Sequence, residues 1–125
     1  MKLMLVDDEP DILHVYRRAL EKRGYSVDMF LNPLVALEQF QPGKYDLALL
    51  DVRMPDMNGL ELAKKLAEKD LNLRIVFLSA FDFYALRNNY PSLSAKFFLN
   101  KPLSVAELDA KLKGFLEEPE RTSPI

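Results

Sequence analysis

Four short apolar runs punctuate the chain, and each leads to a polar group. Leu3-Met4-Leu5-Val6 meets Asp7-Asp8, Leu47-Ala48-Leu49-Leu50 meets Asp51, and Ile75-Val76-Phe77-Leu78 meets Ser79. Phe97-Phe98-Leu99 runs up to Lys101-Pro102. Runs this short and this continuously apolar predict parallel strands buried on both faces. Between them the spacing of apolar residues turns helical. Pro10 suits a first helical turn and Gly24 its end, with Ile12, Tyr16, Ala19 and Leu20 on one face. Tyr25 to Phe30 predicts a more polar strand at a sheet edge. Asn32-Pro33 predicts a capped helix start, with Leu34, Leu37 and Phe40 behind it. Gly59 to Lys69 predicts a third helix with Leu62, Ala63 and Leu66 inward, and Phe81 to Tyr90 a fourth, stopped by Pro91. Ser104-Val105-Ala106-Glu107 has the pattern of a capping box, and Leu103 with Leu108 that of its hydrophobic staple. Leu108, Leu112, Phe115 and Leu116 then give the fifth helix its buried face.

Strands that alternate with helices along a whole chain predict stacked βαβ units with right-handed crossovers. The expected fold is therefore α/β: a flavodoxin-like, doubly wound, five-stranded parallel sheet in the order 2-1-3-4-5 with five helices. In such a sheet, ligands bind beyond the carboxyl ends of the strands, at the point where the strand order reverses. That point lies between the first and third strands, the ones ending in Asp7-Asp8 and Asp51. Three carboxylates, the Ser79 hydroxyl and the Lys101 ammonium would converge there.

Composition narrows what such a crevice can do. With 125 residues, 49% of them hydrophobic, the chain is long enough for one domain with a real core. There is no cysteine, which excludes disulfides, thiolate metal sites and a cysteine nucleophile. A net charge of −2 gives no basis for nonspecific nucleic-acid binding. No run approaches the ~20 apolar residues of a membrane span. No signal peptide precedes the first strand, so a cytoplasmic location is the default expectation.

Clustered carboxylates repel one another, so a counter-charge is required. Lys101 supplies one positive charge and a divalent cation would supply the rest. Oxygen-only ligands favour Mg²⁺, Mn²⁺ or Ca²⁺ over zinc. With the cation in place the pocket attracts a phosphoryl group, and a carboxylate can accept it as an aspartyl phosphate. Asp51, alone at the end of its strand, is the best acceptor candidate. Taken singly, each motif has a plainer explanation. Asp7-Asp8 could be a solvated turn capping the next helix, and Met54-Pro55-Asp56 with Asn58-Gly59 is a turn by composition. His14, the one histidine in the chain, belongs on the exposed side of the first helix rather than in a site. Most of Phe77, Phe81, Phe83, Tyr84, Tyr90, Phe97 and Phe98 belong in the core, with one or two left for a partner surface.

Asp7-Asp8, Asp51-Val52-Arg53-Met54-Pro55-Asp56-Met57-Asn58-Gly59, Ser79-Ala80 and Lys101-Pro102, in this order and spacing, resemble the receiver domain of two-component response regulators, of the single-domain chemotaxis-regulator type. The resemblance spans residues 2–117. It assigns 1–117 to the domain and 118–125, polar and holding Pro119 and Pro124, to a tail or the start of a linker. It implies a phosphorylation-dependent switch that catalyses only its own phosphorylation and dephosphorylation. Asp51 would take a phosphoryl group from a phosphohistidine on a sensor kinase, from a phosphotransfer protein, or from a small phosphodonor. Asp8 and Asp51 would hold Mg²⁺ directly, with Mn²⁺ as a substitute, Asp7 through water, and the Arg53 carbonyl as a third protein ligand. Ser79, Ala80 and Lys101 would contact the phosphoryl oxygens, and Ser79 with Phe98 would form the switch. Phe98, lacking a hydroxyl, would switch through packing alone. The bond before Pro102 is usually cis in the family, which would help aim Lys101.

The implied partners are the kinase and an output partner or attached domain, without direct contact to nucleic acid or membrane. A homodimer through the fourth helix, fifth strand and fifth helix is allowed, although no charge pattern compels it. Arg53 and Phe81 depart from the commonest patterns and should lengthen the life of the phosphoryl group by impeding water. Three rivals are weaker. A phosphohydrolase of the aspartyl-nucleophile class would carry a second Asp where Arg53 stands. A flavodoxin would need hydroxyl and Gly ligands where Asp7-Asp8-Glu9-Pro10-Asp11 stands. A receiver-like scaffold that is never phosphorylated would not need all the key residues.

Overall fold

A computed structural model of the chain describes residues 1–80, 88, 97–101 and 103–117. The expected helix over 81–90, Phe81, Phe83, Tyr84, Tyr90, Pro102 and the segment 118–125 lie outside the described residues. The elements are β1 (Lys2–Val6), α1 (Pro10–Lys22), β2 (Ser26–Phe30), α2 (Pro33–Gln39), β3 (Leu47–Leu50), α3 (Gly59–Lys69), β4 (Arg74–Ser79), β5 (Phe98–Asn100) and α4 (Val105–Leu116). Here α4 is the helix expected fifth in the chain. The strands form one parallel sheet in the order β2-β1-β3-β4-β5, as the apolar runs require, with the polar strand β2 at an edge.

The two-residue period of the strands divides the core into two layers. Met4, Val6, Ala48, Leu50, Ile75, Phe77 and Phe98 face one side, where Ala36 of α2 and Leu60, Ala63 and Leu66 of α3 cover them. Leu3, Leu5, Leu47, Leu49, Val76, Leu78 and Leu99 face the other, beneath Leu13 and Leu20 of α1 and Leu108, Leu112 and Phe115 of α4. Phe77 is fully buried, so truncating it to Ala would cost about 3–5 kcal/mol.

The helix ends follow the sequence signals, and two buried faces differ in detail. Asn32 Oδ1 accepts from the amides of Leu34 and Val35, and Ser104 Oγ accepts from that of Glu107. Gly24 closes α1 at φ 96°, a conformation that side chains resist. On α1 the buried residues are Leu13, Tyr16 and Leu20, while Ile12 and Ala19 are only half-buried. Tyr16 and Leu20 face inward as the spacing placed them, Leu13 joins them, and Ile12 packs at the margin of the same core. Leu34 is exposed, because Pro33 and Ala36 form the buried side of the short α2.

Candidate functional site

The main chain fixes the first two acids. β1 and β3 are neighbours, and the Asp51 amide donates to the Val6 carbonyl (2.9 Å) while the Asp7 amide donates to the Phe30 carbonyl (3.1 Å). Each strand therefore delivers its acid to the same edge of the sheet. Asp7, Asp8 and Asp51 each offer one carboxylate oxygen, all within 4.8 Å of one another. Asp7 and Asp51 are buried, while Asp8 is exposed.

Lys101 enters from the end of β5. Its amide donates to the Ser79 carbonyl (2.9 Å), which ties the lysine loop to β4. Its Nζ donates to Asp7 Oδ2 at 2.8 Å and lies 3.8 Å from Asp51 Oδ2. Asp7 Oδ1 accepts from the Glu9 amide (3.0 Å), so both oxygens of Asp7 are engaged. Asp51 Oδ1 accepts from the adjacent Val52 amide (2.9 Å).

This environment is poor in positive charge. Burial, and then the Asp7 carboxylate, push the Asp51 carboxyl up to about 7, against the opposing pull of Lys101 and the Val52 amide. Burial by itself would lower the Lys101 ammonium, but the carboxylates of Asp7, Asp51 and Glu9 outweigh it and leave its pKa raised. A second cation close by would relieve both acids. The donor set is oxygen only, suited to a hard divalent ion.

The remaining predicted residues sit around this core. Ser79 is fully buried at the end of β4, and Ala80 next to it is exposed. Phe98 is buried in β5, its ring 6.1 Å from that of Phe77. Arg53 is exposed on the loop after β3, and His14 is exposed on α1. Three features escaped the sequence. Asn58 is the α3 N-cap, its Oδ1 accepting from the Glu61 amide (2.9 Å). The Tyr16 hydroxyl donates to the Leu103 carbonyl (3.3 Å), linking α1 to the lysine loop. Asp109 is a buried carboxylate on α4, bonded by Tyr25 and Arg23. The Asn58-Gly59 pair carried a capping signal, but the other two depend on contacts 84 to 87 residues apart.

With this geometry in hand, comparison with known proteins gives one answer. The family model of the response regulator receiver domain matches residues 3–113. The response regulator receiver protein CpdR of Brucella abortus is 33% identical over 115 residues, covering 92% of this chain and 96% of that protein. The aerobic respiration control sensor protein ArcB of Escherichia coli is 38% identical over 117 residues, 92% of this chain but 15% of that protein. The transcriptional regulatory protein TctD of Salmonella typhimurium is matched over 52% of its length, so the chain spans only part of several curated relatives. Among solved structures, the response regulator TrrA from Thermotoga maritima, in complex with Mg²⁺-BeF, superposes with a TM-score of 0.79 at 34% identity. That match covers 91% of this chain and 97% of the other. A two-component response regulator from Clostridium difficile superposes with a TM-score of 0.83 at 27% identity, covering 94% and 97%.

Proposed function

The chain belongs to the family of response regulator receiver domains, and on that premise we propose that it is a switch set by phosphorylation of Asp51. The observation that carries this is the position of Lys101 Nζ, 2.8 Å from Asp7 and 3.8 Å from Asp51, at the carboxyl ends of the central strands. The donor is a phosphohistidine on a sensor kinase or phosphotransfer protein, or a small phosphodonor. An Asp51 carboxylate oxygen forms the bond to phosphorus. The bond to the donor nitrogen breaks, and the leaving imidazole keeps its electron pair. Only an ionised Asp51 can attack, so any group that favours its charged form also activates it.

Asp8, Asp51 and the Arg53 carbonyl would hold Mg²⁺, or Mn²⁺ in its place. Asp7, whose oxygens already serve Lys101 and the Glu9 amide, would act on the ion through water. When bound, the ion supplies positive charge to the acidic pocket and to the phosphoryl oxygens. The chain's own residues do the rest. Lys101, freed from Asp7, turns its ammonium toward the phosphoryl group. The Ser79 hydroxyl and the Ala80 amide contact its other oxygens. Drawing Ser79 inward opens space on β4, and Phe98, packed beside Phe77 on the neighbouring strand, fills it. The surface around β5 changes, which is how a local charge event reaches a partner.

Residues 1–117 form this domain, and 118–125 are its tail or the start of a linker to an output. The partners are the kinase and an output protein or domain, with a homodimer through the β5 and α4 face as one assembly. No helix among the described residues is long and apolar enough to cross a membrane, and a cytoplasmic site of action suits a kinase-charged switch. Arg53 on the loop and Phe81 beyond Ser79 slow loss of the phosphoryl group by impeding the attacking water. Incubation with phosphoramidate and Mg²⁺, read by intact mass, tests the proposal. One phosphoryl adduct that requires Mg²⁺ and is absent from Asp51→Asn is expected. No adduct from either a small donor or a cognate kinase would leave the scaffold reading. Decay of the adduct as fast as in chemotaxis-type receivers would remove the role given to Arg53 and Phe81.

A further inference from the structure

We infer that Gly59 is a positioning residue for the phosphoacceptor: the absence of a side chain there lets the start of α3 press against the Asp51 main chain. This rests on Asp51 being the acceptor. A Cβ on Gly59 would lie far inside van der Waals contact with the Asp51 carbonyl oxygen, 2.9 Å from its carbonyl carbon and 3.1 Å from Val52 Cα. All three are backbone atoms, which cannot swing aside as the end of a side chain can. The demand is one of contact and not of backbone angle, since Gly59 is not among the residues with positive φ. Gly24 and Gly43 show the opposite case, with φ of 96° and 81° and open space where a Cβ would stand.

A second observation closes the same contact. The Gly59 amide donates to the Val52 carbonyl at 2.7 Å. Residues 52–58 thus form a loop pinned where it leaves β3 and where it enters α3. Within it the Met57 amide donates to the Pro55 carbonyl (2.9 Å), and Asp56 takes a positive φ of 73°. The Asp51 carboxylate and the Arg53 carbonyl both hang from this pinned stretch. Any side chain at position 59 must push α3 and the end of β3 apart, and both groups move with them. Displacing reacting groups by about 1 Å can cost about 100-fold in rate.

The test compares three variants of the whole chain. Gly59→Ala should bind Mg²⁺ at least tenfold more weakly by titration calorimetry. It should form the phosphoryl adduct about 100-fold more slowly, at a temperature where circular dichroism shows it folded. Asn58→Ala removes the cap of the same helix without adding an atom against Asp51. It should lower Tm yet keep both Mg²⁺ affinity and adduct rate within about twofold. Gly114→Ala, where a Cβ meets nothing within 4 Å, should keep both as well. Wild-type affinity and rate in Gly59→Ala would overturn the inference. So would losses in Gly59→Ala and Asn58→Ala that merely track their Tm values. If Gly59→Ala does not fold, hydrogen exchange of the unaltered protein decides. The Gly59 amide should gain protection when Mg²⁺ and beryllium fluoride are added, and unchanged protection would overturn the inference. A wild-type chain that takes no adduct would instead remove the assignment of Asp51 as acceptor.

Discussion

Two buried aspartates at opposite ends of the sheet have opposite characters. Asp51, 8% exposed, sits beyond the carboxyl end of β3 among other carboxylates, with Lys101 its one cationic partner among the described residues. Asp109, 5% exposed, lies on α4 near the start of β2. It accepts from the Tyr25 hydroxyl (2.8 Å), Arg23 (3.2 Å) and Lys113 (3.1 Å). The Tyr25 hydroxyl first, then Lys113 and Arg23, hold Asp109 below the usual carboxylate range, although burial pulls the other way. Burial and Asp7 push Asp51 up to about 7. Burial alone therefore does not distinguish a structural carboxylate from a reactive one. The supply of donors does: a fully partnered acid holds the fold, while an under-partnered one is the kind of group that the proposed cation and phosphoryl group would engage.

Exchanging each acid for its amide should produce opposite results, and this is the largest effect expected. Asp51→Asn should abolish the adduct while stabilising the metal-free domain by about 1–3 kcal/mol at pH 8, because it removes an ill-partnered buried charge. Asp109→Asn should lower Tm by several degrees while leaving the adduct rate measured below that Tm unchanged, because Arg23 and Lys113 lose the charge they share. Chemical denaturation and intact-mass kinetics on both variants would show the crossing. Loss of stability in Asp51→Asn at pH 8 would break the comparison.

The pH dependence follows from the same contrast. The folded pKa of Asp51 is above its ordinary value of 3.8, so the folded state holds the proton more tightly. Its contribution to stability is fully present below about pH 4 and fades as pH rises through about 7. Asp109 has the reverse sign. Its folded pKa is depressed, so its contribution is present above the ordinary carboxylate pKa and is lost as pH falls below it. Tyr25, pushed up to about 12 by burial and by Asp109, adds stability that is full below pH 10 and disappears toward 12. Metal-free unfolding midpoints should accordingly fall from pH 5 to pH 8. Millimolar Mg²⁺ should flatten that fall and leave the acid and alkaline limbs in place. A fall that persists unchanged with Mg²⁺ would remove Asp51 as its source.

The same contrast explains what the sequence could reveal. Strand ends that carry Asp7-Asp8, Asp51, Ser79 and Lys101 announce a crevice, because an apolar run and the residue after it are contiguous. The sheet order and its layers follow from those runs and their two-residue period. The helix stripes were less legible: on α1 Leu13 is buried beside the half-buried Ile12, and on α2 Leu34 faces out, because a 7-residue helix such as α2 leaves the phase of its face to tertiary packing. Asp109 was illegible. In a helix of mixed charge it reads as one more solvated acid, and its partners Tyr25 and Arg23 lie 84 and 86 residues away. Gly59 was visible only as half of an Asn-Gly turn, since the carbonyl it must clear belongs to a residue eight positions earlier.

The smallest effect concerns how firmly Lys101 is held between the two regions. Tyr16 is buried on the inner face of α1, and its hydroxyl donates to the Leu103 carbonyl at 3.3 Å, two residues beyond Lys101. Burial raises its pKa, with Lys101 lowering it and Asp7 raising it, so the hydroxyl stays protonated and lies within electrical reach of the site. Removing that hydroxyl leaves the ring packing intact and takes away one long, neutral hydrogen bond, worth about 0.5–1.5 kcal/mol. Lys101 would keep its amide bond to Ser79 and its ion pair with Asp7. Tyr16→Phe should therefore lower stability by no more than that amount and slow adduct formation by about two- to threefold, the Mg²⁺ affinity being unchanged. A larger loss of rate would mean that α1 governs the lysine directly. The metal-side acids and the phosphoryl-side lysine would then be positioned by different parts of the fold, the acids by β1 and β3 and the lysine by α1.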